Sequence, residues 1–250
     1  MSEVSISETI RASEWGRIVP ILSKPGLKAA ITAACVALVA CMLSPGVARS
    51  AEMTFRLVKM GDPAKCRDKC PEVIAAEGEI TERTPDAFLA FVKANARDDN
   101  LRSIVLFHSP GGRVIASMRL GIALRRIGAA AIVARVGAGA DGRGGRVAAA
   151  RCFSACVYAL MGASKRVVPA PSQVGIHRMF MFEAIRDNDS PTRTSRTFAT
   201  ESLVSRLSDY ADLMGVSNEL VWTAERINPD QIHILTAKEL RHWRLSTGKL

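Results

Sequence analysis

Aromatic residues are scarce in this chain. Phe, Trp and Tyr make up 5% of its 250 residues, against 48% apolar residues in all. That balance favours a core of Ala, Val, Ile and Leu, as helices layered on a sheet provide. The scarcity also argues against one kind of partner. Net charge is +10, and a basic balance attracts nucleic acid, anionic membranes or acidic substrates. Here the arginines are interleaved with acids, and no basic stripe carries aromatic rings for bases to stack on. Nucleic acid is therefore not an expected partner. A "GxxxxGK[ST]" phosphate loop is missing too, as are internal repeats. Histidines number only four, at 108, 177, 233 and 242, so imidazole chemistry has few candidates.

What is present begins with "KPGLKAAITAACVALVACMLSPGVARSAE". Lys24 and Lys28 precede an uncharged apolar run from Ala29 to Leu43. Pro45 and Gly46 end it, and small residues follow. This is the layout of a secretory signal, with cleavage expected after Ala48. The run is shorter than the ~18 residues that span a bilayer. An uncleaved membrane anchor is one alternative, and acylation of Cys41 in the lipobox-like "LVAC" is another. Residues 1–51 are read as a polar lead plus signal, and 52–250 as one exported, periplasmic domain. That domain keeps 29 Lys and Arg against 21 Asp and Glu.

Cys35 and Cys41 fall within the signal. The body keeps Cys66 and Cys70 in "CRDKC" and Cys152 and Cys156 in "CFSAC". An even number in an oxidising compartment points to two disulfides. Three pairings are open. If Cys152 begins a helix, Cys152 and Cys156 stack one turn apart, so bridges between the two clusters are the expectation. Zinc binding by the four is the minor alternative, and no metal is expected.

"MTFRLVKM" (residues 53–60) alternates as a half-buried strand does. "EVIAAEGEI" (72–80) reads as a second strand. Thr84 reads as the N-cap of a helix with Pro85 at its first position. "RSIVLFHS" (102–109) is a buried strand, and "PGG" ends it. A helix follows, with Val114, Met118, Ile122 and Leu124 on one side, and then the strand "AAIVARV" (130–136). This rhythm predicts a parallel sheet with crossover helices in an α/β domain. Gly137 to Arg151 holds five glycines and reads as a flexible loop. "CFSACVYALMGA" reads as a helix, and "KRVVPAPSQVGIHRMFMF" as extended chain. "EAIRDNDSPTRTS" reads as a polar loop. Helices are expected near 195–214 and 218–226, with a last one capped by Thr236.

Three segments carry chemistry. "SPGG" (Ser109 to Gly112) ends a buried strand, where glycines let backbone amides face an anion. Its plain role is a tight turn. Ser154 stands where a helix begins, with the Ala155 amide facing the same space. A serine so placed can attack a carbonyl whose oxyanion that amide holds, or it can be a small residue in a crowded helix. Cys152 and Cys156 are rival nucleophiles that an oxidising compartment disfavours. His177 ends the run "GIH" and is either a base or a hydrogen-bonded structural residue. His108, beside "SPGG", competes with it.

"SPGG", the serine at a helix start and "GASKRVVPAPSQVGIH", taken together, resemble the Clp protease proteolytic subunit and its crotonase-like superfamily. The resemblance covers roughly 73–250, with "LTAKELRHWRL" matching a late family segment. It implies a single crotonase-like α/β domain and a serine peptidase activity without cofactors. By that match Ser154 is the nucleophile and His177, 23 residues later, the general base. The Gly112 and Ala155 amides donate to the oxyanion. Peptides or proteins are the implied substrates, and relatives assemble into homo-oligomers.

Two departures stand out. The family's third member is Asp, and the matching position here is Asn228, with Asp230 two residues on. Loss of that carboxylate costs ~10⁴ in rate in a serine triad. Related signal peptide peptidases use a lysine base, for which Lys165 is the nearest residue here. The second departure is the arginine-bearing 137–151 segment and the cysteines flanking Ser154. Two rival readings remain: an impaired family member that binds peptides or partners through the same cleft, and an acyl-CoA enzyme, which export disfavours.

Overall fold

The computed structural model describes residues 51–97, 101–137, 146–185 and 193–248. The signal segment lies outside them, as does the middle of the 137–151 segment. Strand β1 (Thr54–Lys59) pairs antiparallel with β2 (Glu72–Glu77), Leu57 facing Ile74. Strand β3 (Leu101–His108) lies parallel to β2, and β4 (Ala130–Gly137) parallel to β3. Helices Thr84–Asn95 and Val114–Arg126 make the crossovers. Val105, Leu106 and Phe107 at the centre of β3 are sealed from solvent, as a strand covered on both faces requires. The α/β class is as the sequence suggests, but the sheet is mixed. Antiparallel β1 closes one side, and β4 also pairs antiparallel with β5 (Arg146–Ala149). β7 (Lys165–Val167) adds a further parallel partner to β4.

A second, smaller sheet is layered beside the first. β6 (Arg151–Phe153) runs parallel to β8 (Gln173–Ile176), which pairs antiparallel with β11 (His233–Ile234). An isolated bridge from Ser109 to Cys152 ties this sheet to the end of β3. β9 (Phe180–Ile185) and β10 (Arg193–Phe198) pair as a two-stranded ribbon. Helices Glu201–Leu213, Glu219–Ala224 and Ala237–His242 complete the chain. Among the described residues no helix is long and apolar enough to cross a membrane.

Several local expectations need correction. Thr84 is the first residue of its helix, not its N-cap. Its Oγ1 accepts from the Thr81 amide at 2.8 Å, and Arg83 takes the cap position. The 137–151 segment is not all loop, because Gly137 pairs with Arg146 and Ala134 with Ala149. The helix read from Cys152 begins at Cys156, since Arg151 to Phe153 are drawn into β6 by β8. The polar "EAIRDNDSPTRTS" supplies the end of β9 and the start of β10; residues 186–192 lie outside the described residues. The following helix starts at Glu201, where the Thr200 hydroxyl accepts from the Leu203 amide, rather than near 195.

The disulfides also differ from the inter-cluster expectation. Cys66 bonds Cys70, and Cys152 bonds Cys156. The reason lies in the backbone. With Cys152 on a strand and a tight turn after it, the Cα atoms of Cys152 and Cys156 are 5.3 Å apart, within disulfide reach. No thiol of the four is left to serve as nucleophile or metal ligand.

The Cys156–Gly162 helix is fixed from both sides. A Cβ on Gly162 would stand 2.3 Å from the Gly121 Cα, so the Val114–Arg126 helix approaches at backbone distance. Tyr210 donates its hydroxyl to the Tyr158 carbonyl at 2.8 Å. Arg166, 4% exposed, donates to the Ala163, Met161 and Leu245 carbonyls at 2.9, 3.2 and 3.2 Å. Arg125 reaches the Gly162 carbonyl at 2.8 Å. Two cations thus satisfy the carbonyls that a helix end leaves unpaired. Burial, with the nearby Arg125 charge second, pushes the Arg166 guanidinium down to about 10, and it stays charged at neutral pH.

Candidate active site

Ser154 occupies a sharp strand-to-helix turn. β6 ends at Phe153, and the helix begins at Cys156. Between them Ser154 takes φ +54°, a conformation that costs a residue with a side chain about 1–3 kcal/mol. The surroundings hold it there. The Ser154 amide donates to the Gly175 carbonyl at 2.9 Å, and the Phe153 amide to the Ser109 carbonyl at 3.1 Å. The Cys152–Cys156 disulfide closes a five-residue ring around the serine. "SPGG" packs directly on this turn. Gly111 takes φ +113°, and Gly112 takes φ +134°, where a Cβ would stand 2.1 Å from the Ile80 carbonyl oxygen.

The two glycines use their amides differently. The Gly111 amide donates to Ser109 Oγ at 3.1 Å. Neither the Gly112 amide nor the Ala155 amide has an acceptor among the described residues. Ile80 binds the flanks of Gly112, its amide donating to the Gly111 carbonyl and its carbonyl accepting from Arg113. That leaves the two amides expected at an oxyanion free to donate.

His177 follows β8, one residue past Ile176, which pairs with His233 on β11. Ser154 and His177 line one small recess together with Val157, Ile176, Met179 and Leu220. Among the described residues no hydrogen bond joins the serine hydroxyl to the imidazole; such contacts often tighten only around substrate. The imidazole is oriented by its own chain. Its Nδ1 lies 2.8 Å from the Arg178 carbonyl oxygen. A carbonyl has no proton to give, so Nδ1 carries the hydrogen, and neutral His177 keeps its lone pair on Nε2.

The two candidates for a third member are engaged elsewhere. Asn228 Oδ1 accepts from the Asp230 amide at 2.9 Å. The Asp230 carboxylate pairs with Arg196 at 2.7 Å, and that bond lowers its pKa against an opposing desolvation. Neither side chain is hydrogen-bonded to His177. The competitor His108 accepts the Arg151 amide on Nδ1 at 3.3 Å, and burial pushes its pKa down. It is not part of the recess. Lys165 sits on β7, paired with Ala130, and is likewise outside the recess.

One acid beside the site escaped the sequence reading. Glu225 caps the Glu219–Ala224 helix, and its Oε1 accepts from the Met179 amide at 3.2 Å. Its Oε2 lies 3.8 Å from Arg178 Nε. Burial pushes this carboxyl above its ordinary value, with the Met179 amide and Arg178 opposing the shift. The sequence signal was available, since "ERINPD" carries a glutamate three residues before Asn228. Among the described residues no cluster of His, Cys, Asp or Glu is placed to hold a metal ion.

No protein-family model matches the chain, and no curated protein does. Solved structures do resemble it. A serine-to-alanine mutant of the 1510-N membrane-bound stomatin-specific protease superposes with a TM-score of 0.48 at 19% identity, over 70% of this chain and 76% of its own. A lysine-to-alanine mutant of that protease, in complex with a substrate peptide, gives 0.47 at 19% identity, over 70% and 72%.

Proposed function

We propose that the chain is a serine hydrolase of the Clp-protease and crotonase-like type, with peptides or proteins as substrates. The observation that carries the reading is the shared recess of Ser154 and His177. The serine is held at a positive φ at a strand-to-helix turn, and the imidazole tautomer leaves Nε2 free to accept a proton. In the reaction, Ser154 Oγ attacks the substrate carbonyl as His177 Nε2 takes its proton. The Gly112 and Ala155 amides donate to the oxyanion. The imidazolium then protonates the leaving group, and water, deprotonated by the same nitrogen, releases the acyl group. Each step needs only side chains and amides of this chain.

Export to the periplasm is part of the proposal. It is supported by the apolar leader between Lys28 and Pro45 and by two disulfides in the body, which persist in oxidising compartments. Assembly into a homo-oligomer completes the reading, with membrane attachment through a retained leader as the alternative to cleavage after Ala48.

The test is hydrolysis of a panel of fluorogenic peptides and short-chain aryl esters by the oxidised protein. Turnover by the wild type and its loss in Ser154→Ala supports the proposal. Peptide binding without turnover, unchanged by Ser154→Ala, would replace it with a peptide-binding cleft.

A further inference from the structure

A serine hydrolase histidine usually rests on a carboxylate, and here a backbone carbonyl takes that place. The Arg178 carbonyl that accepts from His177 Nδ1 belongs to the same peptide group as the Met179 amide. That amide donates to Glu225 at 3.2 Å, while the carbonyl receives the imidazole at 2.8 Å. One planar peptide therefore joins a carboxylate on one side to the imidazole on the other. The next peptide group is also tied to the same segment, since the Arg178 amide donates to the Ile227 carbonyl at 3.2 Å. Stretch 225–227 thus holds both peptides that flank Arg178. The Arg178 guanidinium lies over the Phe198 ring at 4.1 Å, and its Nε stays within ion-pair distance of Glu225 Oε2, at 3.8 Å.

We propose that Glu225 is the positioning carboxylate of this site, acting on His177 through the Arg178–Met179 peptide group. Resting on the Ser154 and His177 reading above, it supplies the missing third member. Hydrogen bonds in a chain polarise one another. A carboxylate that accepts the N–H of a peptide raises the negative charge on that peptide's oxygen. The oxygen then binds the Nδ1 proton more strongly, most of all when the ring becomes imidazolium. No proton leaves Nδ1, and no bond changes outside the Ser154 reaction. The burial of Glu225, whose side chain is 12% exposed, keeps solvent from screening the effect. Glu225 touches no substrate, so it orients and stabilises rather than reacts. The arrangement explains how Asn228 can stand at the family's acid position with its side chain turned to Asp230.

The experiment compares wild type, Glu225→Gln and Glu225→Asp by two readouts. Glutamine keeps an oxygen for the Met179 amide and removes only the charge. The first readout is fluorophosphonate labelling, resolved into probe affinity and the rate of bond formation. Removing a carboxylate in direct contact costs ~10⁴; through an intervening peptide, a slowing of about tenfold is expected in Glu225→Gln. Probe affinity should stay within about twofold, and Glu225→Asp should recover part of the rate. The second readout is the nitrogen-bound Nδ1 proton of His177 by NMR, which should move upfield in Glu225→Gln. An unchanged rate with an unchanged resonance in the folded variant overturns the proposal. If the wild type is not labelled at all, the Ser154 reading fails by itself. The resonance then decides the relay alone: a shift sustains it and no shift overturns it.

Discussion

A Cβ placed on Gly111 would stand 2.8 Å from the Cβ of Ser154. The turn that aims the serine and the turn that frees the Gly112 amide are therefore one packed unit. Gly111→Ala would also meet the Phe153 carbonyl at 2.8 Å and the Ala155 amide at 3.1 Å, at a φ that favours glycine. The expected outcome is a folded protein destabilised by about 1–3 kcal/mol, with fluorophosphonate labelling down at least about a hundredfold. Thermal melting and labelling rates check both. Wild-type labelling in a folded Gly111→Ala protein would mean that the glycine has no part in the chemistry.

The disulfides should divide in function. The Cys152–Cys156 ring encloses Ser154, whereas Cys66–Cys70 closes the short helical segment between β1 and β2, away from the recess. A five-residue ring of this kind contributes about 2 kcal/mol by restricting the unfolded chain. The double variant Cys152→Ala/Cys156→Ala should melt lower and label more slowly, about tenfold or more, as the serine leaves its positive-φ turn. Cys66→Ala/Cys70→Ala should label as the wild type does. Equal labelling by both variants would show that the ring does not hold Ser154 in place.

Acid should loosen the support of the His177 strand. Desolvation pushes the Glu239 carboxyl up, but bonds from the Thr236 amide, His233 and the Thr236 hydroxyl outweigh it and hold it at about 2. The Thr236 amide and hydroxyl each donate to Glu239 Oε2 at 2.7 Å, and His233 Nε2 lies 2.7 Å from Oε1. A carboxyl lowered from 4.5 stabilises the fold above its unfolded value, and the contribution is lost as pH falls towards about 2. Since His233 pairs with Ile176, the loss reaches the neighbour of His177. Glu239→Gln should therefore melt below the wild type at pH 7, with the two curves converging between about pH 5 and pH 2. A constant gap across that range would assign the effect to shape alone.

The legible parts of the sequence were those governed by apolar periodicity. β1 to β4 and their two crossover helices bury their own side chains, so Val105, Leu106 and Phe107 announce a covered strand. Thr236 announced the last helix as its cap, and the structure completes the cap as a box with Glu239. The start of β9 was legible as extended chain, but its pairing with β10 was hidden because β10 opens in the polar "EAIRDNDSPTRTS" and one of its arginines lies over the aromatics of β9. Arg196 lies over Phe180 at 4.7 Å and over Phe182 at 5.5 Å, so a charged residue occupies the β10 position that an apolar partner would mark. The disulfide pairing was misjudged because Cys152 reads as helix by composition and is strand by partnership with Val174 on β8. Ser154 and His177 were singled out by the resemblance carried by "SPGG", the serine at a helix start and "GASKRVVPAPSQVGIH", and the structure lines one recess with both. Glu225 stood in view three residues before Asn228, but its link to the imidazole runs through backbone groups that every residue has, so its side chain alone did not mark it.

The most direct measurement is fluorophosphonate labelling of the oxidised wild-type protein, with the modified residue mapped by mass spectrometry, beside Ser154→Ala and His177→Ala. The expected result is one adduct, on Ser154, absent from Ser154→Ala and slowed at least about a thousandfold in His177→Ala. A folded wild-type protein that takes no label, or takes it on another residue, would contradict Ser154 as an activated nucleophile and with it the hydrolase reading.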